Sequence, residues 1–74
     1  MDFRLIETMR VSGSGDVFLL DRHLDRLSRS SDFFAFRCDV PEIRRSIAAA
    51  ALPDTSLRLT LSKDGELTLE CKPL

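Results

Sequence analysis

In the stretch Phe18-Leu-Leu-Asp-Arg-His-Leu-Asp-Arg-Leu27, a short strand is predicted to run directly into a helix. One stripe of that helix, apolar except for a serine, consists of Leu20, Leu24, Leu27, Ser31 and Phe34. Arg26 falls on the border of this stripe, beside His23. Arg22, Arg26 and Arg29 form a ridge of like charge, which is unfavourable by itself. An arginine that is half-buried among like charges is best explained by an anion bound to it.

Residues 3–11 lie upstream of the helix and alternate as a strand does. Glu7 shares one face with four apolar side chains, those of Phe3, Leu5, Met9 and Val11, and Thr8 lies on the other face. The composition of residues 12–16 predicts a turn, and residues 17–20 are predicted to return as a second strand. The first helix is expected to cover about residues 21–36.

A second helix is predicted to begin at Asp39, which acts as the N-cap before Pro41 and Glu42. Its apolar stripe is narrow, and alanines at 48–51 allow close packing against a sheet. Residues 56–62 and 66–72 form a predicted hairpin. A three-residue loop ending at Gly65 keeps the leucines on one face and pairs Arg58 with Glu70.

The element order is therefore ββααββ, which predicts an α+β fold, a two-layer sandwich with a mainly antiparallel four-stranded sheet and two helices on one face. Residues 1–74 are expected to form a single small domain with a modest core.

The composition and patterning of the chain argue against nucleic-acid binding, a membrane span and a metal site. Eleven Lys and Arg face 12 Asp and Glu, for a net charge of −1, which argues against nucleic-acid binding. No segment is apolar over the ~20 residues that a membrane span requires. Cys38 and Cys71 are isolated and His23 is the only histidine, so no metal site is expected. Without a signal pattern, the chain is expected to be cytoplasmic, with both cysteines as free thiols.

In this order, three segments resemble the N-terminal small domain of the class IV aminotransferase family, the fold-type IV pyridoxal-phosphate enzymes. They are Leu5-Ile-Glu-Thr-Met-Arg-Val11, Leu20-Asp-Arg-His-Leu-Asp-Arg-Leu27 and Ser30-Ser-Asp-Phe-Phe-Ala-Phe36. The first is most similar to 4-amino-4-deoxychorismate lyase. The resemblance implies pyridoxal phosphate as cofactor, a small-molecule substrate and a homodimer, in a pathway leading to 4-aminobenzoate and folate.

The resemblance also implies roles for individual residues. Arg26 would bind the phosphate of pyridoxal phosphate, and His23 would shape its surroundings. Arg58, by the same resemblance, would contact a substrate carboxylate, while Glu7 and Thr8 would line the substrate pocket. The alternatives differ from residue to residue. Arg26 could be a solvated arginine paired with nearby acids, and His23 a packed, hydrogen-bonded helix residue. Arg58 could form a cross-strand pair with Glu70, and Glu7 and Thr8 could be a strand-edge polar pair.

The catalytic lysine of the family and the carboxylate that pairs with the pyridine nitrogen both belong to a second, C-terminal domain. Lys63 and Lys72 lie in a hairpin loop and near the end of the last strand, where neither is expected to form a Schiff base. The chain is therefore expected to lack the catalytic domain and to be inactive alone.

Two broader interpretations stay open. The parent protein is expected to cleave 4-amino-4-deoxychorismate, with transamination as the second choice. Alternatively, the chain is a non-catalytic remnant that associates with itself or with a partner. Phe33, Phe34 and Phe36 are expected to form core and interface, and any that are exposed would drive self-association.

Overall fold

A computed structural model describes residues 2–74 and shows an α+β sandwich of two layers. In chain order, the elements are strand β1 (Leu5–Val11), helix α1 (Leu20–Phe34), helix α2 (Val40–Ala50), strand β2 (Thr55–Leu61) and strand β3 (Leu67–Pro73). The sheet is antiparallel, with β2 between β1 and β3. Both helices cover the same face, so the predicted fold class is confirmed.

The prediction of four strands is wrong. Only Val17 of the predicted second strand pairs with β1, through one isolated bridge to Val11, and the Phe18 N–H donates to the Arg10 carbonyl at 2.8 Å. Leu19 then adopts a left-handed conformation with φ 55°, and α1 begins at the next residue. The chain therefore turns into the helix before a ladder can form, and the sheet described in residues 2–74 has three strands.

The core lies between the helices and the sheet. Four of the five elements contribute its buried side chains, and β3 packs against them with the partly buried Leu67, Leu69 and Cys71. The buried side chains are Met9, Val11, Leu24, Leu27, Ile43, Ile47, Leu57, Leu59 and Leu61. Ser31 is buried with them, as its place in the apolar stripe predicted, and its hydroxyl has no hydrogen-bond partner within the described residues. Phe34, which was assigned to the same stripe, is instead 44% exposed because α1 ends there.

The helix-cap and hairpin predictions are confirmed. The Asp39 carboxylate accepts a hydrogen bond from the Glu42 N–H at 3.1 Å, so it caps α2. In the hairpin, Leu61 pairs with Leu67 and Arg58 with Glu70. Gly65 has φ 92°, the left-handed conformation that the three-residue loop demands.

Helix α1 ends at Phe34, two residues earlier than predicted, and its C-cap residue Ala35 is left-handed with φ 58°. A Cβ atom is unfavourable there, and glycine is the residue most often found at such a position. We expect Ala35→Gly to raise the free energy of unfolding by about 0.5–1 kcal/mol, measured by urea denaturation. Ala49→Gly, within α2, is the control and should lower stability by a similar amount. Destabilisation by both variants would contradict the left-handed helix end.

Candidate functional site

The site is built where α1 crosses β1. Glu7 points from β1 toward the helices, on the same face as Met9 and Val11, and is only 8% exposed. His23 and Arg26 are three residues apart on α1, so both project from one side of that helix toward Glu7. Since a buried carboxylate requires hydrogen-bond donors, these two side chains explain how Glu7 is tolerated beside the core.

The Arg26 guanidinium binds Glu7 through one of its edges. Its Nε donates to Oε2 at 2.9 Å and its Nη2 donates to Oε1 at 2.7 Å. This is the paired, charge-assisted geometry that holds a guanidinium in one orientation. Nη1 donates to no group within residues 2–74, and two thirds of the Arg26 side chain (66%) is exposed. The outward edge of the guanidinium is therefore open to solvent.

His23 also contacts the Glu7 carboxylate. Its Nδ1 lies 2.7 Å from Glu7 Oε1. Because a charged carboxylate only accepts hydrogen bonds, Nδ1 carries the proton of this bond. The Arg26 Nη2 lies 3.4 Å from the same Nδ1, so the two donors lie side by side on one carboxylate. We refer to Glu7, His23 and Arg26 as the carboxylate cluster.

Opposing effects set the ionisation of Glu7. Burial by itself raises the pKa of the carboxyl group, but the hydrogen bonds and positive charge of Arg26, together with His23, outweigh it. The pKa of Glu7 is therefore below its ordinary value, and the carboxylate is charged near neutrality. Because the Glu7 carboxylate accepts hydrogen bonds from Arg26, it raises the pKa of the Arg26 guanidinium.

This geometry corrects the reason for singling out Arg26. The side chain is not half-buried, and the anion that compensates it in the described structure is the Glu7 carboxylate. The neighbouring Arg29 is paired as well, with Asp25 at 3.1 Å. Part of the arginine ridge is thus neutralised within the chain, which the helical plot alone could not show because Glu7 comes from another element.

The other two predicted site residues lie on the opposite face of the sheet. Thr8 and Arg58 are exposed there and are directly paired across β1 and β2. Arg58 also pairs in register with Glu70, yet the closest cation to that carboxylate is Lys72 Nζ, at 3.7 Å. The structure therefore brings together Glu7 with Arg26, and Thr8 with Arg58, as two separate groups.

Other kinds of site are not found among the described residues. No group of three metal-ligating side chains occurs within residues 2–74. No helix in that range is both long and apolar enough to cross a membrane. Cys38 and Cys71 are free thiols, both partly buried, and Cys71 Sγ lies 3.4 Å from the Ala50 carbonyl oxygen.

Comparison with known proteins assigns the family. Residues 4–73 match the sequence model of amino-transferase class IV. A crystal structure of a provisionally assigned amino-acid aminotransferase from Mesorhizobium loti is 35% identical, with a TM-score of 0.84. The match covers 97% of this chain and 36% of that protein, so the chain spans about a third of its length. Among curated proteins, none matches. The chain belongs to the aminotransferase class IV family.

Proposed function

We propose that this chain is the N-terminal domain of a pyridoxal-phosphate enzyme that cleaves 4-amino-4-deoxychorismate, and that Arg26 anchors the cofactor phosphate. The family assignment supports the cofactor class, and the segment Leu5-Ile-Glu-Thr-Met-Arg10 favours the lyase over an aminotransferase. A C-terminal domain of the same enzyme would be its partner, and the cytoplasm its location. The observation that carries the proposal is the orientation of the Arg26 guanidinium by Glu7.

The described residues fit the phosphate end of the cofactor. Glu7 occupies the Nε–Nη2 edge of Arg26, which leaves Nη1 and the second hydrogen of Nη2 pointing outward as a fork. Two N–H groups in this arrangement match two oxygens of a phosphate. Glu7 would therefore act as a positioning residue, because it fixes the guanidinium before the anion arrives and lowers the entropy lost on binding.

The described residues do not include a sheltered lysine that could hold the reactive end of the cofactor. Pyridoxal phosphate, when bound, provides an electron sink for carbanion chemistry, and the protein must hold it through a sheltered lysine. Lys63 is exposed on the hairpin turn, and the Lys72 side chain is 66% exposed. Residues 2–74 therefore hold a phosphate and orient it, while proton transfers would belong to another domain.

Thr8 and Arg58 stay predictions as substrate ligands. Their face of the sheet is opposite to the one from which Glu7 reaches Arg26. A substrate bound next to a cofactor held by Arg26 would have to reach around β1 to contact Arg58. The geometry therefore favours Arg26 over Arg58 as the anion-binding arginine of these 74 residues.

The test is a titration of the isotope-labelled chain, followed by the side-chain Nε–H resonance of Arg26. We expect inorganic phosphate and pyridoxal phosphate to shift this resonance, and pyridoxal, which lacks the phosphate, to leave it unchanged. Arg26→Lys should weaken phosphate binding at least about tenfold, because a lysine keeps the charge but loses the fork.

Arg29→Lys is the matched control, since Arg29 lies on the same helix and its side chain is 80% exposed. This variant should bind phosphate as the wild type does. Equal weakening by both variants would contradict a specific role for Arg26. In a parallel assay, the chain supplied with pyridoxal phosphate and 4-amino-4-deoxychorismate should form no 4-aminobenzoate, and its formation would contradict the proposed division of labour.

A non-catalytic, self-associating module is the second candidate function. It is favoured by an observation that is unrelated to the phosphate site: several phenylalanines are exposed together at one end of the molecule.

A further inference from the structure

Strand β3 forms one edge of the sheet and directs backbone groups away from it. In an antiparallel pair, alternate residues direct their N–H and C=O groups to the partner strand. The Ser62 N–H donates to the Glu66 carbonyl just before β3, and the Leu74 N–H donates to the Asp54 carbonyl just after it. Both hydrogen bonds join even-numbered residues in the β2–β3 register, so the odd-numbered residues of β3 point their backbone groups outward. Within residues 2–74, no further strand pairs with that edge.

The inward side chains of β3 are only partly covered. Leu67, Leu69 and Cys71 face the helices and are partly buried, whereas the leucines that they pair with on β2 are fully buried. The same three residues carry the outward backbone groups. A strand added at this edge would therefore gain backbone hydrogen bonds and cover apolar surface at the same time.

Helix α2 presents small side chains above this edge. It lies over β3, while α1 lies over β1. Arg44 marks the side of α2 that faces α1, because it pairs with Asp21, and the buried Ile47 marks the side that faces the sheet. By helical spacing, Ser46 and Ala49 lie on the remaining flank, away from α1. We refer to Leu67, Leu69, Cys71, Ser46 and Ala49 as the β3 edge groove.

The opposite edge of the sheet, on β1, is less suited to strand addition. One end of it is covered by the Val17–Val11 bridge and by the Phe18 N–H, which donates to the Arg10 carbonyl. Glu7 also points inward from β1, and an inward-pointing charge discourages a further strand. The inward residues of β3 are uncharged. Of the two edges, that of β3 is therefore the one open to an added strand.

Charges on the other face of β3 select the kind of strand that fits. Thr68, Glu70 and Lys72 are exposed there. The Lys72 Nζ lies 3.7 Å from the Glu70 carboxylate, a contact between two largely exposed side chains that contributes little. A strand with a basic residue opposite Glu70 and an acidic residue opposite Lys72 would form two cross-strand ion pairs.

Strand β3 of a second copy matches this pattern poorly. The antiparallel register that sets Glu70 opposite Lys72 of the copy also sets Leu69 opposite Pro73, which has no N–H to donate. The register with full overlap of the two strands sets Glu70 opposite Glu70. The register that sets Glu70 opposite Thr68 leaves the carboxylate without a cation. A strand of different sequence avoids all three conflicts.

We propose that the β3 edge groove binds an extended segment of another polypeptide, which joins the sheet as an antiparallel fourth strand. Its backbone bonds to Leu67, Leu69 and Cys71, and every second side chain is apolar and enters the groove. A basic and an acidic side chain on its other face pair with Glu70 and Lys72. In strand addition of this kind, backbone bonds provide affinity and the alternating side chains provide specificity. The groove contains no residue of the carboxylate cluster, so this binding does not depend on the phosphate site.

The probe is a capped heptapeptide, Val-Glu-Val-Lys-Val-Thr-Val, titrated into the isotope-labelled 74-residue chain. Paired antiparallel with β3, it sets its glutamate opposite Lys72 and its lysine opposite Glu70. At saturation, we expect hydrogen exchange of the Leu67, Leu69 and Cys71 amides to slow at least about tenfold. The peptide with its glutamate and lysine exchanged is the matched control and should bind at least about threefold more weakly.

Two variants of the chain test the groove and its charges separately. Ala49→Lys should weaken peptide binding at least about tenfold, because the longer side chain fills the groove. Ala48→Lys is its control, since Ala48 is also exposed but projects from the other side of α2, and it should leave binding unchanged. The double variant Glu70→Lys/Lys72→Glu should reverse the preference between the two peptides, because both charge pairs are exchanged.

Three results would overturn the proposal. One is the absence of amide protection at millimolar peptide, and another is equal binding of the two peptides to the wild-type chain. The third is protection of the Leu67, Leu69 and Cys71 amides that grows with the concentration of the chain alone, because a second copy would then occupy the edge.

Discussion

Leu59→Ala is expected to lower the free energy of unfolding by about 2–5 kcal/mol, a large part of the total stability of so small a domain. Leu59 lies in the middle of β2, the central strand, and is fully buried between the sheet and the helices. Alanine would leave a cavity that rigid strands on both sides cannot fill. A domain of this length has only about 4–11 kcal/mol to lose, so partial unfolding at room temperature is expected.

Urea denaturation followed by far-ultraviolet circular dichroism measures this loss. The matched control is Leu52→Ala, the same substitution at a side chain that is 57% exposed, and its effect should stay within about 0.5 kcal/mol. If both leucine variants lost stability equally, the core could not lie where the structure places it.

The elements that the sequence predicted correctly are those specified by neighbouring residues. Asp39, Pro41 and Glu42 define the start of α2 among themselves, through a side-chain cap and a proline at a position that needs no N–H donor. The hairpin register follows from Gly65 and from keeping the leucines of both strands on one face. In both cases the deciding interactions span only a few residues.

The prediction of a strand at residues 17–20 was wrong because strand formation depends on a distant partner and not only on neighbouring residues. Residues 17–20 have strand-like composition, but a strand needs a partner along its length, and only Val17 has one. The left-handed Leu19 then sends the chain into α1. A left-handed leucine is unfavourable by local preference, so no sequence signal within this segment could have indicated the turn.

The carboxylate cluster was predicted only in part. Its residues were all identified from the sequence, but their connection was not, because Glu7 and Arg26 come from different elements. One signal could have revealed it: Glu7 is the single charged residue on the apolar face of β1. A charge on a buried face requires a partner of opposite sign, and Arg26 borders the helix stripe that covers that face.

Glu7→Gln is expected to have the second-largest effect, lowering the free energy of unfolding at neutral pH by about 1–2 kcal/mol. The amide keeps the shape of the side chain but loses its charge, and its NH2 group would oppose the donors of Arg26 or His23. The loss is limited because the Arg26 side chain is largely exposed and can recover contacts with water. Glu70→Gln, at an exposed carboxylate of β3, is the control and should change stability little.

The pH dependence separates the charge of Glu7 from its packing. The folded protein holds the pKa of Glu7 below its ordinary value of 4.5. The stabilisation is therefore complete above that value and is lost as the pH falls through the lower, folded-state pKa. Wild type and Glu7→Gln should differ most above pH ~5 and approach each other in acid. A difference that does not change with pH would contradict the conclusion that the charge of Glu7 stabilises the fold.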